Sequence, residues 1–141
     1  MTKELFQQAV MQLLFIPYRW GGDDPINGFD CSGGVQEILA MVGLDPEGDQ
    51  TAQGLYDYFK AKSVPSAPNV GTLFFFGKST SQITHIGIDL GGCMFAFGGA
   101  GSVTTSREAA ASMNAYGRIR PYNRRKDLVA TVTPAGIPWN K

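Results

Sequence analysis

The spacing of apolar residues changes from a helical to a strand period part-way along this chain. Apolar stripes at intervals of three or four residues predict helices over 3–14, 31–42 and 51–62. After residue 70 the apolar residues fall in short runs separated by glycines, which predicts strands over 72–76, 84–90, 93–97, 101–105 and 117–122. Helices followed by consecutive strands predict the α+β class, with the N-terminal helices packed on an antiparallel β-sheet.

Length and charge narrow the possibilities further. The 141 residues fit one domain, and a hydrophobic fraction of 43% is enough for its core. We therefore predict a single domain over 1–141, with residues 126–141 as a peripheral tail. The formal net charge is zero, which argues against a nucleic-acid partner. The apolar run near the N-terminus is too short to cross a bilayer, so we predict no membrane segment.

Cys31 lies where a glycine-rich loop, residues 18–30, meets the predicted helix 31–42. A helix N-terminus directs unpaired N–H groups and a partial positive charge at its first residues, which favours a thiolate over a thiol. The same N–H groups can stabilise an oxyanion. Gly33 and Gly34 weaken the first helical turn, which indicates close packing or substrate approach there. A small buried hydrophobe is the alternative, but the polar, glycine-rich neighbours favour a nucleophile.

His85 is the only histidine of the chain and therefore its one imidazole base. Alternation over 84–90 directs the two isoleucines and Leu90 toward the core, and His85 and Gly87 toward the opposite face. We expect the missing side chain of Gly87 to leave space beside the imidazole. A lone strand histidine is more often structural than catalytic, but its presence together with Cys31 favours a catalytic pair.

Asp89 shares the predicted face of His85, two positions along the strand, and is a candidate third catalytic partner. Residues at that spacing on a strand are separated rather than in contact, so a solvated carboxylate is the favoured interpretation.

Other chemistries have weaker support in the sequence. Asp23 and Asp24 are turn-forming aspartates, and one histidine with scattered carboxylates does not predict a metal site. The glycine-rich segments lack the lysine and hydroxyl residue of a phosphate loop, so we predict no phosphate loop. Cys31 and Cys93 are too few for a disulfide framework. The basic run from Arg124 to Lys126 is interpreted as solvated surface.

Several segments together resemble the NlpC/P60 family of cysteine peptidases. Residues 18–22, Tyr-Arg-Trp-Gly-Gly, followed by residues 28–33, Gly-Phe-Asp-Cys-Ser-Gly, are similar to the nucleophile segment of that family. Residues 84–91 resemble its histidine strand, H-V-G-I-Y-L-G. Residues 71–76 and 117–120 are similar to two further strands, with a threonine replacing the usual aspartate in the first. The match runs in order from about residue 5 to residue 122.

This resemblance implies a papain-like α+β fold and hydrolysis of a peptidoglycan stem peptide, often between a D-γ-glutamyl residue and a diamino acid. Cys31 would attack the amide carbonyl, and His85 would act as the general base toward an acyl-enzyme that water releases. No cofactor is implied. The residues that would shape the substrate site are Tyr18, Trp20, Asp30 and Ser32, and the last two would hold the polar end of the stem peptide.

The sequence departs from the family at one important position. The family usually places a polar residue about twelve positions after the histidine to orient the imidazole, and this chain has Phe97 there. Asp89, Ser102 and Gln82 are candidate substitutes, beside a backbone carbonyl or a water. Loss of an orienting group lowers the rate of a triad without abolishing catalysis.

Two other functions therefore stay open, namely a non-catalytic wall-binding or structural module, and a thiol amidase or acyltransferase acting on another substrate. No signal peptide and no wall-targeting repeats are visible in the sequence. If the substrate is the cell wall, we expect a phage tail, lysis machinery or secretion system to deliver the protein. Otherwise we expect a cytoplasmic location.

Overall fold

A computed structural model describes residues 1–14, 23–24, 28–29, 31–98, 116–123 and 125–140, with the backbone alone at 23–24, 28–29, 98 and 116. The helices are α1 (Lys3–Met11), α2 (Cys31–Ala40) and α3 (Ala52–Phe59). The strands are β1 (Asp23–Asp24), β2 (Gly28–Phe29), β3 (Ser63–Val64), β4 (Leu73–Gly77), β5 (Ile83–Asp89), β6 (Met94–Gly98), β7 (Tyr116–Arg120) and β8 (Leu128–Pro134).

Six of the strands form one antiparallel sheet in the order β3-β8-β4-β5-β6-β7, and β1 and β2 form a separate antiparallel pair. The predicted α+β class is confirmed, as are all three predicted helices and the strands at 72–76, 84–90, 93–97 and 117–122. The strand predicted over 101–105 lies outside the described residues. Within the described part of the chain, no helix combines the length and apolar character that crossing a membrane requires.

The prediction of a peripheral tail over 126–141 is wrong, because β8 lies inside the sheet. Val132 pairs with Leu73 of β4 on one side of β8, and Thr133 pairs with Val64 of β3 on the other. Four β-branched residues in β8 suit a pleated, half-buried strand. Beyond β8, Trp139 donates its indole N–H to the Val70 carbonyl at 2.9 Å, so the chain stays attached to the domain after the last strand.

The sheet has two differently covered faces. On the helix face, alternate strand residues pack into one core together with side chains from the three helices. That core includes Leu73, Phe75, Ile86, Ile88, Leu90, Phe95 and Phe97 from the sheet side, and Phe6, Val10, Val35, Ile38 and Leu55 from the helices. The predicted inward direction of the isoleucines and Leu90 in 84–90 is therefore confirmed.

The opposite face, here called the second face, carries a smaller apolar cluster of Phe74, Phe76, Met94 and Ala96. The connection from β7 to β8, residues 121–127, has to pass from one edge of the sheet to a strand beyond β4. Its described residues lie over the second face, where the Tyr122 ring stacks on Phe74 with centroids 4.8 Å apart and planes 1° apart. We call residues 121–127 the crossover segment.

Candidate active site

Cys31 is the first residue of α2, which confirms its predicted place at a helix N-terminus. The residue is buried, 9% exposed, and belongs to the helix-face core. Ser32, predicted to bind substrate, is also buried in the same turn. Cys31 and Cys93 are both thiols and are not joined in a disulfide. The environment of Cys31 thus combines the helix terminus expected of a nucleophile with the apolar packing of a core cysteine.

Close packing explains the glycine in the first turn of α2. A Cβ added to Gly34 would lie 2.3 Å from Cδ2 of Phe97, so the helix can approach β6 this closely only without a side chain there. Phe97, which occupies the position of the family's orienting residue, directs its ring to the helix face and meets Phe95 edge-on at 5.3 Å. The predicted close packing at this turn is confirmed.

His85 lies on β5 opposite Phe76 of β4, and its side chain is on the second face of the sheet. The two ring centroids are 5.5 Å apart, and the histidine is 9% exposed. Its predicted position opposite the core-facing isoleucines is therefore confirmed. The expected space at Gly87 is not present, because a Cβ there would lie 2.3 Å from the Met94 sulfur. The thioether of Met94 fills the volume that the glycine leaves.

The interpretation of Asp89 as a solvated carboxylate is wrong. The residue is 2% exposed, and its Oδ1 accepts hydrogen bonds from the amides of Gly91 at 2.6 Å and Gly92 at 3.2 Å. Burial raises the pKa of the Asp89 carboxyl, and the two amide hydrogen bonds oppose that rise. Both glycines have positive φ, so the carboxylate closes the β5–β6 turn. These contacts give Asp89 a structural role in the turn, and its role as a third catalytic partner stays a prediction.

An ion pair in the crossover segment was missed by sequence reasoning. Arg125 donates from Nε to Oδ1 of Asp127 at 2.9 Å and from its terminal nitrogen to Oδ2 at 2.7 Å. The guanidinium carbon of Arg125 also lies 4.9 Å from the centroid of the Phe76 ring. The prediction that this basic run is solvated surface is wrong for Arg125. Only the spacing of a basic and an acidic residue two positions apart hinted at the pair.

The surroundings of His85 favour the neutral imidazole. The pKa of His85 is lowered from 6.5 to about 3, mainly by burial and then by the positive charge of Arg125, while the negative charge of Asp127 partly opposes both. The hydrogen bonds from Arg125 lower the pKa of Asp127 in turn. The imidazole is therefore neutral near pH 7, which is the protonation state from which a general base starts, but a pKa this low makes it a weak base.

The remaining predicted site residues have different outcomes. Tyr18, Trp20 and Asp30 lie outside the described residues, as does Ser102. Gln82 is exposed in the turn before β5, where its backbone carbonyl accepts a hydrogen bond from the amide of Lys78 at 3.2 Å. Among the described residues, no three His, Cys, Asp or Glu side chains are grouped so that they could hold a metal ion.

The structure brings together the two elements that carry the predicted catalytic pair, because α2 packs directly on β5 and β6. Cys31 belongs to the cluster on the helix face, whereas the His85 ring contacts Phe76 of the second-face cluster. Helix α2 and strand β5 are therefore in contact. The side chains of Cys31 and His85, however, pack against different clusters.

Comparison with known proteins decides the family. The model of the NlpC/P60 family matches residues 16–116, which span the nucleophile segment, β4, β5 and β6. This chain belongs to the NlpC/P60 family. The NlpC/p60 domain of the peptidoglycan hydrolase SagA has the same fold, with a TM-score of 0.60 at 20% identity, covering 94% of this chain and 98% of that domain. The NlpC/P60 assignment and this likeness agree with the predicted papain-like α+β architecture.

Curated relatives of the NlpC/P60 domain are named as wall enzymes. The bifunctional muramidase/DL-endopeptidase CwlT of Bacillus subtilis is 44% identical over 82 residues, which cover 56% of this chain and 24% of that protein. The murein DD-endopeptidase MepH of Escherichia coli is 34% identical over 93 residues, which cover 61% of this chain and 32% of that protein. The matched region thus spans a third or less of either relative.

Proposed function

We propose that this chain hydrolyses an amide bond in the stem peptide of peptidoglycan, with Cys31 as nucleophile and His85 as general base. The observation that carries the proposal is the position of Cys31 at the first residue of α2, a helix that packs on the strand of the only histidine. Membership of the NlpC/P60 family and the names of the relatives support peptidoglycan as the substrate class.

In the proposed reaction, the thiol of Cys31 gives its proton to His85, and the sulfur attacks the amide carbonyl. The carbon–nitrogen bond then breaks as the imidazolium returns the proton to the leaving amine, which leaves a thioester acyl-enzyme. Water attacks the thioester while His85 accepts a proton, and the carboxylic acid product leaves as the thiol is restored. Backbone N–H groups at the start of α2 would stabilise the oxyanion in both steps.

The reaction needs a contact between the sulfur of Cys31 and the imidazole of His85. Such hydrogen bonds tighten in the substrate complex of many enzymes and are long or poorly aligned before substrate binds. We propose that substrate binding brings the sulfur of Cys31 within hydrogen-bond reach of the imidazole while His85 keeps its contact with Phe76. The environment of His85 should then change when a non-cleaved substrate analogue binds to the Cys31→Ala variant.

The bond that we propose is the one between the D-γ-glutamyl residue and the diamino acid. The motif resemblance supports this choice, and the relative CwlT is named a DL-endopeptidase. MepH is named a DD-endopeptidase, so cleavage of a bond between two D-residues is the nearest competing specificity. The masses of the two products distinguish these bonds.

The decisive experiment is mass spectrometry of purified muropeptides incubated with the wild type, Cys31→Ala and Cys93→Ala. Cys93 is a matched control because it is the other thiol, and burial together with the nearby Asp89 charge raises its pKa. We expect the wild type and Cys93→Ala to give the same two fragments and Cys31→Ala to give none. Equal cleavage by Cys31→Ala, or no cleavage by folded and reduced wild type, would contradict the proposal.

One observation favours a second candidate, a wall-binding module that does not cleave. Phe97 replaces the usual polar orienting residue and packs into the helix-face core. Muropeptide binding by wild type without any product would support this function. Cleavage or acyl transfer on a different amide, also through Cys31, would instead identify a thiol amidase or acyltransferase. Delivery by a phage tail, lysis machinery or secretion system stays a prediction.

A further inference from the structure

The imidazole of His85 lies beneath a charged pair that comes from the far end of the chain. Arg125 and Asp127 belong to the crossover segment and are separated from His85 by about forty residues of sequence. The guanidinium carbon of Arg125 and the ring of His85 both contact Phe76, at 4.9 Å and 5.5 Å from its centroid. Phe76 is therefore the ring that both Arg125 and His85 contact.

Strand pairing fixes this arrangement from both sides of β4. Phe76 pairs with His85 of β5 across one edge and with Leu128 of β8 across the other. The amide of Gly77 donates to the carbonyl of Asp127 at 2.9 Å, which ties the crossover segment to the end of β4. The register of β4 shifts at this point toward both of its neighbours, so the irregular strand ends coincide with the charged pair.

The ion pair itself has the geometry that holds a guanidinium in one orientation. Two parallel hydrogen bonds join Arg125 to both oxygens of Asp127, at 2.9 and 2.7 Å. A fork of this kind restricts rotation more than a single contact does. Its guanidinium carbon lies over the Phe76 ring at 4.9 Å from the centroid, a distance typical of cation–π contacts.

We propose that Arg125 and Asp127 are a positioning pair for His85, which holds Phe76 against the imidazole and places two opposite charges beside it. The catalytic meaning of the pair rests on the proposed function, whereas its effect on the histidine does not. Because the pair acts through Phe76 and through its field, neither residue needs to touch the substrate.

The charges near His85 support the proposal because they act in opposite directions. Arg125 lowers the pKa of His85 and Asp127 raises it, while the charge of His85 lowers the pKa of Asp127 in return. Asp89, further along β5, and Arg118, on β7 opposite Ala96, are further charged residues on this face, but they are not among the charges that shift the histidine. Among the described residues, Arg125 and Asp127 are thus the charges that act on the imidazole, in addition to its burial.

The test follows His85 by nuclear magnetic resonance titration, which needs no activity and no assignment because the chain has one histidine. Loss of the positive charge in Arg125→Gln should raise the pKa of His85. Loss of the negative charge in Asp127→Asn should lower it. Lys126→Gln is the matched control, since it removes an exposed charge between the two and should leave the titration unchanged.

Arg125→Lys keeps the charge but loses the fork, and it guards against a trivial folding defect. We expect its histidine to titrate closer to wild type than that of Arg125→Gln. An ion pair that merely stabilised the fold would give shifts of the same sign in Arg125→Gln and Asp127→Asn, or no shift, and either result would overturn the proposal. Opposite shifts would support it even if no muropeptide were cleaved.

Where muropeptides are cleaved, the pH profile of kcat/KM gives the second readout. The acidic limb of the profile should move up in Arg125→Gln and down in Asp127→Asn, in parallel with the magnetic resonance values. The acidic limb could instead stay at the wild-type pH in both variants while the pKa of His85, measured without substrate, shifts in opposite directions. That result would show that the pair does not influence the reaction.

Discussion

At the residue scale, the most consequential feature is a buried histidine held in its neutral form. His85 is the only imidazole, so its titration is not obscured by another group of the same type. The alternation of residues 84–90 predicts the face on which His85 lies, but it does not predict that this side chain is buried. The ring and the charges that surround it come from β4 and the crossover segment. The sequence near residue 85 gives no information about these distant residues.

The lowered pKa of His85 predicts a loss of stability in mild acid. Because the folded value of about 3 lies below the unfolded value of 6.5, the unfolded chain binds the proton first as the pH falls. The free energy of unfolding should therefore fall from about pH 6.5 downward, by about 2 kcal/mol at pH 5 from this group. Urea denaturation of wild type and His85→Gln between pH 7 and 5 measures the difference.

Carboxylates common to both proteins cancel in that comparison. His85→Gln should show a shallower dependence on pH over this window, whatever its stability at pH 7. Parallel curves for the two proteins would mean that the imidazole titrates normally in the folded state.

At the element scale, the contact between α2 and β6 depends on a glycine. Alanine has the higher helix propensity, by about 1 kcal/mol, but a Cβ on Gly34 would meet the Phe97 ring at 2.3 Å. We expect Gly34→Ala to destabilise the protein by about 1–3 kcal/mol through overpacking. Thermal or urea unfolding measures this change.

Gly54 of α3 provides the matched control for that substitution. The nearest atom to a Cβ there is the side-chain oxygen of Gln50 at 2.7 Å, at the end of a flexible side chain that can move away. Gly54→Ala should be neutral or stabilising. Equal effects of the two alanines would show that propensity, and not the approach to Phe97, governs the position.

Element prediction from the sequence succeeded where the pattern is local. The three helical stripes and four of the strands follow from the period of apolar residues, and the glycine of the first turn of α2 correctly indicated close packing. The sequence analysis did not predict β8. The strand is placed inside the sheet by pairing with residues distant in sequence, and residues 128–134 are flanked by charged and proline-containing stretches that resemble a tail. The candidate nucleophile and base were visible in the sequence, whereas the Arg125–Asp127 pair depends on topology.

At the scale of the whole molecule, the insertion of β8 makes the C-terminal residues part of the core. Val132 is buried against β4, whereas Thr131, next to it, is exposed. Val132→Asp should cost about 3 kcal/mol or more, because it buries a charge without a partner. Thr131→Asp should change stability by less than about 1 kcal/mol, as surface substitutions usually do.

Urea unfolding of these two adjacent variants checks the topology. A peripheral tail would tolerate both aspartates equally. A large difference between them requires one face of the segment to be buried, as in the sheet.

The position of β8 also governs when the site can form during synthesis. Until Leu128–Pro134 has left the ribosome, one edge of β4 has no partner and the charged pair cannot reach His85. Long-range strand pairing of this kind is slow and follows the local helices. A nascent chain therefore carries Cys31 long before it carries a finished site. Any peptidase activity of this domain would be withheld from the translation machinery that makes it, and would begin only once nearly the whole domain has emerged.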